Sequence, residues 1–90
     1  KKITVNPSSR LSLQLHRNRS EWWKVIKGKG MVQVGASEWL LEEGDTVNIG
    51  KLEVHRITNE ADSPLIFVEV QTGECQENDI IRIEDDYGRV

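Results

Sequence analysis

The sequence predicts an all-β protein whose short antiparallel strands form a sandwich or barrel of jelly-roll type. Three observations carry this prediction. Apolar and polar residues alternate with a period of two, as in residues 11–16, where leucines face one side and Ser12, Gln14 and His16 face the other. Turn signals recur about every 8–12 residues, the rhythm of a sandwich or barrel. No window carries the i, i+3, i+4, i+7 apolar spacing of a confident helix.

The predicted strands follow one another at short intervals. They cover residues 2–6, 11–16, 22–27, 31–34, 38–41, 46–49, 53–58, 65–71 and 79–84. Pro- or Gly-containing segments at 7–9, 28–30, 35–37 and 42–45 predict turns between them. Residues 85–90 are polar and predict a turn or tail. Together these elements predict one domain over residues 1–90.

Composition excludes several classes of protein. The chain has 90 residues, 37% of them hydrophobic, and a formal net charge of −3. It holds no run of about 20 apolar residues that could span a bilayer, and its acidity does not suit a nucleic-acid partner. The single cysteine, Cys75, permits no internal disulfide, and with no signal peptide in view we expect a cytoplasmic location. The opening at Lys1, within a strand pattern and without a methionine, indicates a piece of a longer barrel.

Two histidines give the sequence its candidate chemistry. Gln14 and His16 lie two residues apart on one face of a predicted strand, about 7 Å from each other. Glu21 follows a predicted turn at 17–20 and could fold back beside them, and His55 would join them if its strand pairs nearby. Such nitrogen and oxygen donors suit one divalent ion, Zn²⁺, Mn²⁺, Fe²⁺, Co²⁺ or Ni²⁺. Packed or surface histidines remain the alternative interpretation.

The spacing of these residues resembles the two motifs of the cupins, a family of small β-barrels. The first motif is matched by Ser8, Gln14, His16, Glu21 and Gly28, and the second by Gly44, Gly50, Leu52, His55 and Asn59. Ser8, Gly50 and Leu52 replace a Gly, a Pro and a Gly of the family, which puts the shape of those turns in question. Gln14 replaces the first histidine, and within the cupins that set resembles phosphomannose isomerases.

Longer stretches of the sequence restrict the resemblance to one group within the cupins. Residues 3–7, 11–14, 19–23, 64–73 and 79–89 are similar to the type II mannose-6-phosphate isomerase domain, which often follows a mannose-1-phosphate guanylyltransferase. The resemblance implies a cupin, or double-stranded β-helix, barrel. It also implies an isomerase that interconverts mannose 6-phosphate and fructose 6-phosphate in mannose, GDP-mannose and polysaccharide metabolism. The implied metal ligands are Gln14, His16, Glu21 and His55. Where this chain has Arg17, Asn18 and Trp22, the family often carries histidines.

The implied reaction moves a proton between C1 and C2 of the sugar. It needs a Lewis acid, which is the role of the metal, and a base, which the sequence does not assign among the Glu and Lys residues near the barrel mouth. Arginine binds phosphate bidentately, so Arg19, Arg82 and Arg89 are the candidates for the phosphate or for transition-state charge. Arg56 and Lys24 are second choices.

Other functions remain open at this stage. One alternative is a catalytically inactive or differently specific cupin that still binds a sugar phosphate. Another is a metal-free structural domain, such as a dimerisation module. Resemblance to small cupins implies a homodimer that forms through sheet faces or by exchange of the N-terminal strand, residues 3–5. Trp22 and Trp23 are expected on opposite faces of one strand, with one of them in the core.

Overall fold

The computed structural model describes residues 1–74, 76 and 78–90, so the expectation for Cys75 lies outside the described residues. Ten strands make up the described fold. They are β1 (Lys2–Val5), β2 (Ser9–Arg10), β3 (Leu13–Leu15), β4 (Arg19–Lys27), β5 (Gly30–Val34), β6 (Ser37–Leu41), β7 (Thr46–Ile49), β8 (His55–Asn59), β9 (Leu65–Gly73) and β10 (Ile81–Glu84). Within these residues no helix is long and apolar enough to cross a membrane.

The strands form two antiparallel sheets. One has four strands in the order β1-β9-β4-β7, and the other has the order β10-β3-β8-β5-β6, with β2 also paired to β8. Strands that neighbour each other in a sheet are mostly distant in sequence, as β4 and β9 are. The all-β prediction is therefore confirmed, with long-range pairing of the kind expected of a jelly roll.

The core lies between the inner faces of the two sheets. Its buried residues are Val5, Trp23, Val25, Val32, Leu41, Val47, Ile49, Ile57, Leu65 and Phe67. Trp23 packs on Phe67 with 4.6 Å between ring centroids. Trp22 is only partly buried and sits opposite Val70, so the two tryptophans take opposite faces of β4 as expected.

Several predicted strand boundaries differ from the structure. The segment predicted over 11–16 contains only β3, and β2 precedes it, because Ser9 and Arg10 pair with the far end of β8 while Gln14 pairs with His55 at its near end. β4 begins at Arg19 and leaves a shorter turn than predicted, because Arg19 pairs with Gly73 on β9. β8 begins at His55 because the preceding residues form a turn.

Two of the three departures from the cupin motifs adopt a backbone conformation that favours glycine. Ser8 has φ 55° and Leu52 has φ 67°, and both stand where the family has glycine. These are the left-handed conformations that glycine adopts most easily. At the third departure, the Gly50 amide donates a 2.6 Å hydrogen bond to Glu53 Oε1, which a proline could not make. The three substitutions therefore place backbone strain at Ser8 and Leu52 and a hydrogen bond at Gly50.

Candidate metal centre

Three of the four predicted ligands meet in the interior between the sheets. His16 follows β3, Glu21 lies on β4 and His55 begins β8, so both sheets contribute. One ligand atom from each lies within 4.8 Å of the others, and all three residues are buried. Gln14 pairs directly with His55 across β3 and β8, which places both on the same face of the sheet. Gln14 also lines a small cavity together with His16 and Glu21.

The imidazole of His55 is oriented by a hydrogen bond to a nearby backbone carbonyl. Its Nδ1 lies 2.8 Å from the carbonyl oxygen of Glu53. A carbonyl only accepts, so Nδ1 carries the proton and Nε2 keeps a lone pair. That Nε2 is buried without a hydrogen-bond partner and lies 3.9 Å from Glu21 Oε1. A histidine whose far nitrogen donates to a carbonyl has the usual arrangement of a metal ligand.

His16 has a different environment. Its Nε2 lies 2.7 Å from Arg19 Nη2, and its Nδ1 lies 3.5 Å from Glu21 Oε2 without forming a hydrogen bond. Burial, together with the charge of Arg19, lowers the pKa of His16 to about 4. Burial also lowers the pKa of His55. Both imidazoles are therefore neutral at pH 7, the form that binds metals.

Glu21 is a buried carboxyl with three polar neighbours. Trp23 Nε1 donates to its Oε1 at 3.0 Å, and Arg19 Nε donates to its Oε2 at 3.0 Å. Burial raises the pKa of Glu21 to about 7, and its hydrogen bond with Glu69 adds to the effect. Burial alone would raise the pKa of Glu69 too, but hydrogen bonds with Glu21 and Gln71 hold it below its usual value. Two carboxyl groups thus share the site, which a divalent cation would neutralise.

The centre opens into a small cavity of about 150 Å³. Gln14, His16, Arg19, Glu21 and Glu69 form its polar wall, and Ile3, Leu11 and Ile80 are among its apolar residues. A larger cleft of about 470 Å³ lies elsewhere on the surface, beside Met31, Leu40 and Thr58, and contains none of the predicted site residues. Cavity volume alone would therefore not have identified the candidate metal centre.

The predicted arginines fall in different places. Arg19 lines the cavity. Arg82 pairs with Gln14 across β10 and β3, and its Nε is buried without a hydrogen-bond partner. Arg89 forms a 2.6 Å ion pair with Asp85 and is not among the residues that line the cavity.

The second-choice cations also lie apart from the centre. Arg56 donates to Glu84 Oε1 and to the carbonyl oxygen of Leu11, each at 2.9 Å. Lys24 is exposed one residue beyond the buried Trp23, on the outer face of β4.

The sequence did not predict the roles of Glu69 and Asp79 at the site. Glu69 is charged but follows Leu65 and Phe67 at the inward positions of β9, and that break in an apolar alternation could have identified it. Asp79 accepts the backbone amides of Arg17 at 3.0 Å and Asn18 at 2.8 Å, and so fixes the turn between His16 and Arg19. No local pattern identifies Asp79, because its partners are about 60 residues away.

The residues present fit a divalent metal ion. In residues 1–74, 76 and 78–90, the buried side-chain nitrogens without a partner are His16 Nδ1, His55 Nε2 and Arg82 Nε. Buried polar atoms are normally paired, so two unpaired imidazole nitrogens facing one carboxylate indicate a missing partner. Two imidazoles, a carboxylate and an adjacent amide form a donor set for Zn²⁺, Mn²⁺, Fe²⁺, Co²⁺ or Ni²⁺.

The fold and this site define a cupin, a double-stranded β-helix barrel. A solved Klebsiella pneumoniae protein with a double-stranded β-helix domain superposes with a TM-score of 0.80 over 93% of this chain and 72% of its own, at 23% identity. The family model for the mannose-6-phosphate isomerase C-terminal domain matches residues 1–85. The chain belongs to that family.

Relatives of known role are much longer than this chain. Alginate biosynthesis protein AlgA of Pseudomonas aeruginosa is 44% identical over 90 residues, which cover 99% of this chain and 19% of AlgA. Mannose-1-phosphate guanylyltransferase ManC of Salmonella typhimurium is 38% identical over 91 residues, again 19% of its length. The chain thus spans about a fifth of these relatives.

Proposed function

We propose that this protein is a metal-dependent isomerase that interconverts mannose 6-phosphate and fructose 6-phosphate in mannose and polysaccharide metabolism. The observation that carries the proposal is the buried group of His16, Glu21 and His55, whose ligand atoms converge and include two imidazole nitrogens without hydrogen-bond partners. Family membership supports the substrate pair. The activity of the longer relatives does not transfer with it, because this chain matches only 19% of their length.

In this proposal Gln14, His16, Glu21 and His55 hold one divalent ion. The ion supplies a Lewis acid for the sugar oxygens as negative charge develops. Burial keeps both histidines neutral, the charge state that binds metals, and keeps water scarce around them. Arg19 at the cavity and Arg82 beside Gln14 offer positive charge for a phosphate or for the reacting oxygens. Arg89 reaches a substrate only if its pair with Asp85 opens.

A coupled assay tests the proposal. Purified protein, stripped of metal and reloaded with each candidate ion in turn, should form fructose 6-phosphate from mannose 6-phosphate. His55→Ala should lose both bound metal and turnover. Lys24→Gln, a change on the outer face of β4, should lose neither. Metal-loaded protein that binds mannose 6-phosphate but forms no product would contradict the isomerase assignment.

The cavity size favours a second candidate. Pockets that enclose a small-molecule ligand usually measure about 300–1,000 Å³, whereas this cavity measures about 150 Å³. A hexose phosphate would therefore extend beyond it. The small cavity supports a cupin that encloses only part of a sugar phosphate, such as its phosphate group, or another small anion, and does not turn it over. Calorimetric binding of mannose 6-phosphate together with a silent coupled assay would favour this candidate.

The remaining features of the proposal concern context. We propose a single domain, a cytoplasmic location and a homodimer, and no role for nucleic acid or membrane. β1 pairs with β9 of its own chain, so a strand-exchanged dimer would replace an existing pairing. The outer face of the four-stranded sheet carries Trp22 opposite Val70, which is 48% exposed, and this apolar patch suits a face-to-face dimer. Light scattering coupled to size exclusion gives the mass directly.

A further inference from the structure

Arg19 occupies the polar side of the candidate metal centre. Its Nη2 lies 2.7 Å from His16 Nε2, and its Nε donates to Glu21 Oε2 at 3.0 Å. Its side chain is 13% exposed, so little water competes for these contacts. One guanidinium thus contacts two of the three residues whose donor atoms converge.

These contacts determine which atom of His16 carries the proton. Arginine has five N–H donors and no acceptor, so in this contact His16 Nε2 is the acceptor. A neutral imidazole has one acceptor nitrogen, and the other, Nδ1, then carries the hydrogen. With Arg19 in place, neither nitrogen of His16 has a lone pair to offer a metal ion.

His55 provides the contrast within the same site. Its Nδ1 donates to the Glu53 carbonyl, and its Nε2 keeps a free lone pair towards Glu21. His55 is therefore already in the state that binds a metal. His16 is the one imidazole of the pair that has to change before it can act as a ligand.

Both routes for that change remove Arg19 from His16. If the metal takes Nε2, it replaces the guanidinium on the same lone pair. If the metal takes Nδ1, the proton moves to Nε2. The N–H of Nε2 then faces an N–H of Arg19, and two donors cannot form a hydrogen bond. We propose that Arg19 is an internal cation that competes with the metal for His16 and Glu21, and that it leaves them when the metal binds.

In this proposal Arg19 contacts His16 and Glu21 in the metal-free protein and can bind an anion once the metal is bound. It rests on the proposed function in one respect, the presence of a metal at this site. A guanidinium released from His16 and Glu21 has its planar fork free at the wall of the cavity, where it can bind an anion such as a phosphate bidentately. The site would then hold a strong anion-binding group beside the metal only in the loaded protein.

Zinc affinity provides the first test. Arg19→Gln removes the competing charge, and we expect its Zn²⁺ dissociation constant, measured against a chelator, to fall about tenfold, which corresponds to ~1.4 kcal/mol. Lys24→Gln removes the same charge from the exposed outer face of β4 and should change the constant less than twofold. Equal affinity of Arg19→Gln and wild type, or equal gains in both variants, would overturn the proposal.

The tautomer of His16 provides the second test, and it needs no metal. Nitrogen-15 spectra of the metal-free protein should show the Nδ1–H form for both histidines. In Arg19→Gln the His16 ring should shift towards Nε2–H while His55 stays unchanged. A His16 ring that is already Nε2–H in the wild type would overturn the proposal.

The two tests also separate this inference from the proposed function. Tighter zinc binding by Arg19→Gln, together with zinc-loaded wild type that forms no fructose 6-phosphate, would support the competition and reject the enzyme. Absence of zinc binding in both proteins would overturn the competition along with the metal site itself.

Discussion

Leu52 combines an unfavourable backbone with an exposed side chain. Its φ of 67° lies in the left-handed region, and its side chain is 63% exposed, so packing offsets little of the strain. That conformation costs a non-glycine residue about 1–2 kcal/mol. Its amide nevertheless donates to the His16 carbonyl at 2.7 Å, which joins the turn to the metal centre. The turn is thus held in a shape that the residue itself disfavours.

Replacing Leu52 should distinguish the contribution of backbone strain to the free energy of unfolding from that of side-chain packing. Leu52→Gly relieves the strain but adds about 0.4–1 kcal/mol of unfolded-state entropy, so we expect a net gain in the free energy of unfolding of about 0.5–1 kcal/mol. Leu52→Ala keeps the Cβ and therefore the strain, and should show no gain. Urea unfolding of both variants measures the difference. A glycine variant less stable than the alanine variant would contradict the argument.

The Glu21 carboxyl makes metal binding dependent on pH. With its pKa raised to about 7 by burial and Glu69, Glu21 is protonated at pH 6, whereas His16, with a pKa near 4, is not. A metal ion that binds the carboxylate therefore displaces about one proton at pH 6 and few at pH 8. Affinity should rise about tenfold per pH unit up to pH 7 and then level off.

Calorimetry in buffers of different ionisation enthalpy counts these protons. Glu69→Gln removes the carboxyl that helps to raise the pKa of Glu21, so it should release fewer protons at pH 6 than the wild type. Heats that are independent of the buffer at pH 6 would show that Glu21 is already ionised.

The sequence identified the candidate ligands but not all residues of the site. Spacing alone left the convergence of His16, Glu21 and His55 dependent on how their strands pair, and the resemblance to the cupin motifs implied that they form one ligand set. It did not show that Arg19 bonds to two of them, because those contacts depend on side-chain directions at the start of β4 that the motif spacing does not specify. It did not bring Glu69 to the site either, because that depends on the register between the distant strands β4 and β9.

At the scale of elements, Asn59 joins the end of β8 to other segments. It is fully buried, and its Nδ2 lies within hydrogen-bond distance of the carbonyl oxygens of Val5 at 3.0 Å, Ser63 at 2.9 Å and Asn6 at 3.3 Å. Its Oδ1 accepts the amide of Ala61 at 3.0 Å. One side chain thereby fixes the 60–64 turn against the end of β1.

Loss of this amide should be costly. Asn59→Ala leaves buried backbone groups without partners, each at about 1–3 kcal/mol, so we expect a loss of about 3 kcal/mol in the free energy of unfolding. Asn48→Ala, on an exposed position of β7, should change it by less than about 0.5 kcal/mol. Equilibrium unfolding measures both. A small effect at Asn59 would mean that water replaces the amide.

The strands also show where local patterns fail. Period-two alternation located nearly every strand, because one face of each sheet is buried. It missed β2, because Ser9 lies in the segment predicted as a turn, and it extended β3 over Leu11 and Ser12, which continue the alternation outside the strand. Within the predicted strand 38–41, Trp39 is 40% exposed, because β6 is the edge strand of its sheet.

At the scale of the whole molecule, the candidate metal centre connects the two sheets. Glu21 belongs to the four-stranded sheet through β4, while His55 belongs to the other through β8. A bound ion would therefore cross-link the barrel, and binding to the folded state alone stabilises it by mass action. At a free metal concentration of a hundred times Kd, this amounts to about 2.7 kcal/mol.

Thermal unfolding should report that stabilisation. For a domain of this size 1 kcal/mol shifts Tm by about 4–8 °C, so saturating metal should raise Tm by about 10–20 °C over chelator-treated protein. His55→Ala removes the ligand already oriented for the metal and should abolish the shift, whereas Lys24→Gln should keep it. If chelator and metal leave Tm unchanged in the wild type, the group of His16, Glu21 and His55 is not a metal site.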